Sequence, residues 1–321
     1  LSQSALVLAD FLIGKAQVIF NFGSINIDHA YRVAYFVRPG ETLESNEYSV
    51  GLGGKGVNQS LAIARAKGAV SHWGRVSSVD AWVVPELESA GVGVQDIELA
   101  AEPSGHAIIQ IDERGENAIL LFSGANHGFT QERMKALVEQ TTPGDTILIQ
   151  NECNGLDQLI PLAVSHGCKV IFNPAPMTSG VSLLPLDQCE LLFFNRTEAA
   201  ELLEMPVESS ASDLLRRCKE MLGDAEVVLT LGSEGAWYQR NDETLYQAAL
   251  KVKVIDTTAA GDTFVGYFLA ARQAGMNPSK CLQRATAAAA MAVQKRGSAS
   301  SIPVAEEVDR LILQTAWEQF E

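Results

Sequence analysis

The chain reads as an α/β protein: a doubly wound, mostly parallel sheet with helices on both faces and a small β-sheet lid. Three observations lead there. Four short apolar runs, at 146–149, 169–172, 191–194 and 227–231, have the length and unbroken hydrophobicity of strands buried on both faces. Stretches with helical spacing, such as 156–166 and 197–203, lie between them, and strands alternating with helices build a sheet covered on both sides. Two regions, 31–50 and 105–122, break the alternation with shorter segments of period two.

The first element, Val18-Ile19-Phe20-Asn21-Phe22-Gly23-Ser24-Ile25-Asn26-Ile27-Asp28, reads as a buried strand running into a turn. Asn26 and Asp28 alternate with Ile25 and Ile27, so both polar side chains share a face. Polar groups at the carboxyl end of a parallel strand are where α/β proteins bind ligands. An amide beside a carboxylate suits sugar hydroxyls; plain turn chemistry by Asn and Asp is the other reading.

Next comes Gly51-Leu52-Gly53-Gly54-Lys55-Gly56-Val57-Asn58-Gln59, which formally contains G-x-G-x-x-G. A dinucleotide fingerprint needs a buried strand before the glycines, and the preceding residues are mostly polar. A P-loop needs Ser or Thr after its lysine, and Lys55 is followed by glycine. The run instead brings backbone against a polyhydroxylated ligand, with Lys55 and Asn58 supplying hydrogen bonds and Asn58 opening an apolar helix over 59–66. A glycine-rich turn into a helix is the plainer alternative.

In the second irregular region, Glu113-Arg114-Gly115-Glu116-Asn117 fits a hairpin turn between strands at 108–111 and 118–122. Together with 31–50 it makes the lid. A lid face rich in Ile, Leu and Phe aggregates unless covered, and a second subunit is the expected cover. The alanine-rich 285–292 reads as a tightly packed helix.

The most informative run is Asp256-Thr257-Thr258-Ala259-Ala260-Gly261-Asp262-Thr263-Phe264. Small residues let backbone N–H groups approach a ligand closely, and a buried helix over 265–274 follows. A helix N-terminus offers free amides and partial positive charge, which suits an anion. An acid fixed there repels the anion, so it fits better as a base taking a proton from an attacking hydroxyl. The chemistry implied is phosphoryl transfer to an alcohol; the plainer reading makes Asp262 an N-terminal helix cap.

These runs, with Ser123-Gly124-Ala125-Asn126, Asn173-Pro174-Ala175-Pro176, Asn195-Arg196-Thr197-Glu198 and Thr230-Leu231-Gly232-Ser233-Glu234-Gly235 in the same order, make a pattern that resembles the ribokinase-like (PfkB) family of carbohydrate kinases. The resemblance spans about 18–315 and is nearest to the ribokinase branch. It implies an ATP-dependent sugar kinase, with ribose going to ribose 5-phosphate as the expected reaction. Asp262 matches the catalytic base, and the amides of Ala259, Ala260 and Gly261 the anion hole. Asn26, Asp28, Gly54, Lys55, Asn58 and Glu152 match sugar-binding positions. Asn195 and Glu198 match the pair that organises magnesium (Mg2+) and phosphate. Thr230, Gly232, Ser233 and Gly235 match the nucleotide loop. Asp256, Thr258, Ala292, Lys295, Gly297 and Ser301 match loops that hold a monovalent cation such as potassium (K+). A homodimer through the lid is also implied. Phosphoryl transfer needs positioning and charge neutralisation more than covalent chemistry, which agrees.

Two departures stand out. After Gly74-Arg75-Val76 the family's glycine- and acid-rich turn is replaced by Ser77-Ser78-Val79-Asp80-Ala81-Trp82. Residues 1–16 precede the family's start and are expected to be an upstream or vector-derived extension to a kinase domain at 17–321. Their apolar run, Ala5-Leu6-Val7-Leu8-Ala9, is closed by Asp10 and lacks a signal-peptide pattern.

A formal net charge of −15 argues against a nucleic-acid or membrane surface. Any bound nucleotide therefore needs local help from magnesium, Lys55 and helix amides. Five scattered cysteines without a C-x-x-C are unlike a disulfide scaffold or zinc site and fit reduced thiols in cytoplasm. His29, beside the expected sugar site, is not expected to act directly. Rival readings are a related kinase for another sugar, a keto-acid sugar or a nucleoside, and a sugar-binding regulator without catalysis. The regulator would have lost the base or the magnesium pair, and Asp262, Asn195 and Glu198 are all present. A nicotinamide dehydrogenase lacks its strand before the glycines.

Overall fold

Buried on both faces, the apolar runs have no alternative to full backbone pairing, and they pair as parallel strands. In the computed structural model, which describes residues 17–315 and Trp317, strand β1 (Ile19–Phe22) starts the large sheet. The chain then leaves it for a small sheet through β2 (Asn26–Arg32) and β3 (Glu47–Gly53). Helix α1 (Lys55–Arg65) returns it to β4 (Val70–Trp73). A side excursion follows: β5 (Arg75–Ser77), α2 (Val83–Ser89) and β6 (Glu98–Ala100). The hairpin β7 (Gly105–Ile111) and β8 (Asn117–Phe122) completes the small sheet.

Alternation then resumes with α3 (Gln131–Val138), β9 (Thr146–Gln150), α4 (Leu156–Ser165) and β10 (Lys169–Asn173). Next come β11 (Leu191–Asn195), α5 (Arg196–Leu202), α6 (Ala211–Leu222) and β12 (Glu226–Thr230). An antiparallel hairpin, β13 (Ala236–Arg240) and β14 (Glu243–Gln247), closes that edge. Helices α7 (Ala260–Gln273), α8 (Pro278–Ala292) and α9 (Ala305–Gln314) finish the described chain.

The large sheet runs β14-β13-β12-β11-β10-β9-β1-β4, parallel from β12 to β4. From β1 the chain steps outward to β4 and later returns to β9 on β1's other side. The order therefore reverses between β1 and β9, and the crevice outside the carboxyl ends there is where open α/β sheets bind ligands.

Alternate residues of each strand supply two cores. One takes Leu148, Ile171, Phe193 and Val228 with α1, α7 and α8; the other takes Ile147, Ile149, Phe172 and Leu229 with α3, α4 and α6. Burying one such side chain contributes about 1.5–3 kcal/mol. Helices α1 and α7 cross so closely that a Cβ on Gly266 would lie 2.3 Å from that of Ala62. That approach sets the polar start of α1 against the first turn of α7.

The small sheet runs β3-β2-β7-β8, with Asn26 in register with both Gly53 and Gly105. Where a 31–50 segment was expected, β2 begins before it, β3 runs past its end, and 33–46 is a loop. This corrects the placement of Asn26 and Asp28. They lie on the small sheet, since the chain breaks at Gly23-Ser24 and pairs anew. Helix α1 also starts at Lys55, so Asn58 lies inside it. Ser78–Asp80 forms a 3-10 turn ahead of an exposed Trp82. The 285–292 helix is buried as expected. The apolar run at 5–9 lies outside the described residues.

Candidate active site

A cleft of about 470 Å³ opens between the carboxyl ends of the parallel strands, the N-termini of α1 and α7, and one face of the small sheet. Of the residues singled out from sequence, Asn26, Asp28, Gly54, Lys55, Asn58, Glu152, Asn195, Glu198, Thr230, Thr258, Ala259, Gly261 and Asp262 line it. Ala260, Gly232, Ser233, Gly235, Asp256, Ala292, Lys295, Gly297 and Ser301 lie outside that lining.

Asp262 sits in the first turn of α7 and is only 7 % exposed. It is not the N-cap. That position belongs to Ala259, held at a φ of 58°, a left-handed conformation that costs a residue with a Cβ about 1–2 kcal/mol. The first amides of a helix have no intrahelical acceptor. Ala260 spends its amide on the Thr257 carbonyl at 3.2 Å, so Ala259 and Gly261 are the better candidates for the anion hole. Both Asp262 carboxylate oxygens accept side-chain amides: Oδ2 from Asn58 at 3.1 Å and Oδ1 from Gln59 at 2.9 Å.

Across the cleft, the inner strand β2 of the small sheet places Asn26 and Asp28. Gly53 leaves room for the Asp28 carboxylate: a Cβ there would fall 2.1 Å from Asp28 Oδ2 and push it out of this position. Gly54, at φ 93°, then turns the chain into α1 without a side-chain cap. Asn26 Oδ1 accepts from Asn126 Nδ2 at 2.7 Å. Asp28 Oδ2 accepts from Ser298 Oγ at 3.3 Å. Burial pushes the Asp28 carboxyl up to about 6; the Ser298 bond opposes the rise and the Glu152 charge adds to it.

Glu152 follows β9 and closes the floor. Its Oε2 accepts from the Lys55 amide at 3.0 Å and from Ser24 Oγ. Burial lifts its carboxyl above the usual range, partly offset by Lys55 and Ser24. The Asp262 charge holds the Lys55 ammonium above its ordinary value against the cost of burial, and Glu152 and Glu198 add to this. One cation thus faces three carboxylates, and the cleft has room for positive charge and hydroxyl donors.

Asn195 and Glu198 form a reciprocal capping box on α5. Asn195 Oδ1 accepts from the Glu198 amide at 2.8 Å, and Glu198 Oε2 accepts from the Asn195 amide at 2.9 Å. Burial raises the Glu198 carboxyl despite that bond and Lys55. Among the described residues no group of three or more His, Cys, Asp or Glu could hold a metal by themselves. Beyond the cleft, Asp256 ties two loops together. Its Oδ1 accepts from the Thr258 amide and hydroxyl at 2.9 and 2.6 Å, and its Oδ2 from the Gly297 amide at 2.9 Å. Lys295 Nζ lies against Glu307 at 3.7 Å. His29 pairs with the Tyr48 hydroxyl on the small sheet.

A matching family model covers residues 17–305, that of the pfkB family carbohydrate kinases. The chain belongs to the pfkB family of carbohydrate kinases. Relatives of this sugar kinase include a ribokinase of Haemophilus influenzae, 34 % identical over 89 % of this chain and 95 % of that protein. A ribokinase of Schizosaccharomyces pombe is 36 % identical over 89 % and 95 %. The fold of the kinase matches that of Arabidopsis thaliana ribokinase complexed with ribose and ATP, with a TM-score of 0.81 at 27 % identity over 92 % of this chain and 98 % of that one.

Sequence reasoning gave no role to Gln59, Ser298, Asn126 or Ser24, each of which holds a candidate site residue in place. Apart from motif membership for Gln59, Asn126 and Ser24, no local signal marks them, because their partners are distant in sequence. Ala107, Ile109, Ile119 and Leu121, which bring small-sheet apolar surface to the cleft, were likewise not singled out.

Proposed function

We propose that this kinase transfers the terminal phosphoryl group of ATP to the primary hydroxyl of D-ribose, giving ribose 5-phosphate and ADP. The observation that carries the reading is Asp262: a buried carboxylate held by two amides at a helix N-terminus, facing the cleft that Asn26 and Asp28 also line. Asp262 takes the hydroxyl proton as the sugar oxygen bonds to phosphorus. The bond from that phosphorus to the ADP oxygen breaks, and the proton then passes to solvent. The amides of Ala259 and Gly261, with Ala260 framing the turn, face the phosphoryl oxygens. Lys55, Asn58, Gly54 and Glu152 complete the sugar site with Asn26 and Asp28. Thr230, Gly232, Ser233 and Gly235 form the nucleotide side.

Asn195 and Glu198 fit a magnesium ion held mainly through phosphate oxygens and water, since one carboxylate is what such a site commonly supplies. When bound, the ion neutralises phosphate charge. Asp256, Thr258, Ala292, Gly297, Ser301 and the Lys295 backbone suit a monovalent cation, whose loop fixes the turn at Ala259. In sodium-free buffer, potassium chloride should raise turnover and tetramethylammonium chloride should not; equal rates would remove this assignment.

Residues 17–321 act as one kinase unit with the small sheet as lid. All five cysteines are free and buried, and reduced thiols support a cytoplasmic setting. Val50, Leu120 and Phe122 are exposed on the lid, and a second copy is the proposed cover. Sedimentation should give the mass of two chains; a monomer at micromolar concentration would contradict it.

The function is tested by an ATP-consumption screen over D-ribose, 2-deoxy-D-ribose, hexoses, nucleosides and keto-acid sugars. Ribose should have the highest kcat/KM, and a nucleoside ahead of it would overturn the substrate assignment.

A further inference from the structure

Behind the cleft, a chain of buried side-chain amides runs back from Gln59. Asn21, Gln59 and Gln150 are each no more than 1 % exposed, and Asn173 is 8 % exposed. Asn21 Nδ2 donates to the Gly56 carbonyl at 2.7 Å. Gln150 Nε2 donates to Asn21 Oδ1 at 2.9 Å and to Gln59 Oε1 at 2.8 Å. Gln59 Nε2 donates to Asn173 Oδ1 at 3.0 Å and to Asp262 Oδ1 at 2.9 Å. Asn173 Nδ2 donates to the Phe193 carbonyl at 3.1 Å.

An amide side chain can be turned over, so its direction must come from its partners. Here the direction is set at both ends by groups that only accept. The Gly56 carbonyl forces Asn21 to face it with Nδ2, which presents Oδ1 to Gln150. Gln150 must answer with Nε2, whose second proton requires Oε1 from Gln59. The Phe193 carbonyl independently fixes Asn173, which presents Oδ1 to Gln59. Both routes leave Gln59 facing Asp262 with N–H. Turning it over would set its oxygen against a carboxylate and a second carbonyl oxygen, and buried polar groups without partners are costly.

We infer that Gln59 is the positioning residue for the Asp262 carboxylate, its donor direction fixed through Gln150, Asn21 and Asn173 by two backbone carbonyls. This rests on the reading of Asp262 as the base. Asn58, on the cleft wall, bonds one oxygen, and Gln59 bonds the other from behind. Together they stop the carboxylate rotating about its Cβ–Cγ bond. A base held at one angle meets the hydroxyl proton at each encounter, and small misplacements at a reacting centre cost up to about 100-fold.

The test uses the full chain with D-ribose and ATP–magnesium. Gln59→Met keeps the length and removes the donor. Its kcat should fall about 10- to 100-fold, with KM for ribose and for ATP changed less than about threefold. Gln59→Glu keeps the acceptor for Gln150 and sets a second carboxyl against Asp262 Oδ1. Two such groups do not both ionise, so the acid limb of its kcat profile should move up by about one pH unit or more. The charged groups facing Asp262, namely Lys55, Glu152 and Glu198, are the same in both variants.

A merely structural Gln59 would lower the melting temperature and leave kcat and the acid limb of the folded protein unchanged, and that result would overturn the inference. Should Gln59→Met not fold, Gln59→Glu, close in size, carries the test. Asp262→Asn is assayed in parallel. If it keeps its turnover, the base reading itself is lost. If it is inactive while folded Gln59 variants behave as wild type, only the role of Gln59 falls.

Discussion

Replacing Asp262 by asparagine lowers kcat by about 100-fold or more, the usual scale for losing a general base, and leaves the affinity for ATP nearly unchanged. The substitution keeps the shape of the side chain and removes the proton acceptor. It also sets an N–H₂ group against one of the two amides, Asn58 or Gln59, that now donate to the carboxylate. Some loss of melting temperature is therefore expected alongside the loss of turnover. The check is kcat from a coupled assay together with nucleotide affinity by calorimetry. A folded variant with near-wild-type turnover would show that Asp262 is not the base.

Replacing Asp28 by alanine raises KM for the sugar strongly and leaves KM for ATP nearly unchanged. Asp28 is placed to accept hydrogen bonds from adjacent hydroxyls, and losing a charged acceptor costs about 1.5–3 kcal/mol or more. A site built around such bonds rejects ligands that cannot make them. Burial raises the Asp28 carboxyl from 3.8 to about 6, so in the wild-type enzyme KM for the sugar should rise as pH falls through about 6, where the carboxyl takes up a proton and loses an acceptor. The alanine variant should lose that dependence.

The stability sign runs the other way. An acid whose folded value lies above its unfolded value destabilises the fold above that folded value, and the cost fades as pH falls toward the unfolded one. At neutral pH the alanine variant should therefore melt no earlier than wild type. If Asp28 only shapes a turn, the variant would melt early and affect both substrates alike. Both KM values and the melting temperature, measured on one preparation, separate the two accounts.

The parallel strands β9 to β12 were legible to within a residue, because burial on both faces leaves an unbroken apolar run, whereas the short β4, Val70-Ser71-His72-Trp73, carries polar residues and was not read as a strand. The β7–β8 hairpin was legible from its turn. The start of α1 was not, since a glycine with positive φ begins it and the expected cap chemistry is missing. Asn26 and Asp28 were rightly read as sharing a face, but period two is the same in any sheet. Only the register with Gly53 and Gly105 shows which sheet they join. Asp262 stood out because small residues, an acid and a buried helix are contiguous there. Its partners did not stand out. Gln59 and Asp262 are 203 residues apart, and Ser298 and Asp28 are 270 apart, so only the packing of α1 on α7 and the loop at 297–301 brings them together.

The most direct measurement is the identity of the product. D-ribose, ATP and magnesium are incubated with the protein in potassium buffer, and the sugar is examined by phosphorus NMR and mass spectrometry. The account predicts stoichiometric ADP and a single phosphate ester on the primary carbon, its phosphorus signal split by the two protons of that carbon. Phosphate on the anomeric carbon, or ATP hydrolysis without any phosphorylated ribose, would contradict it.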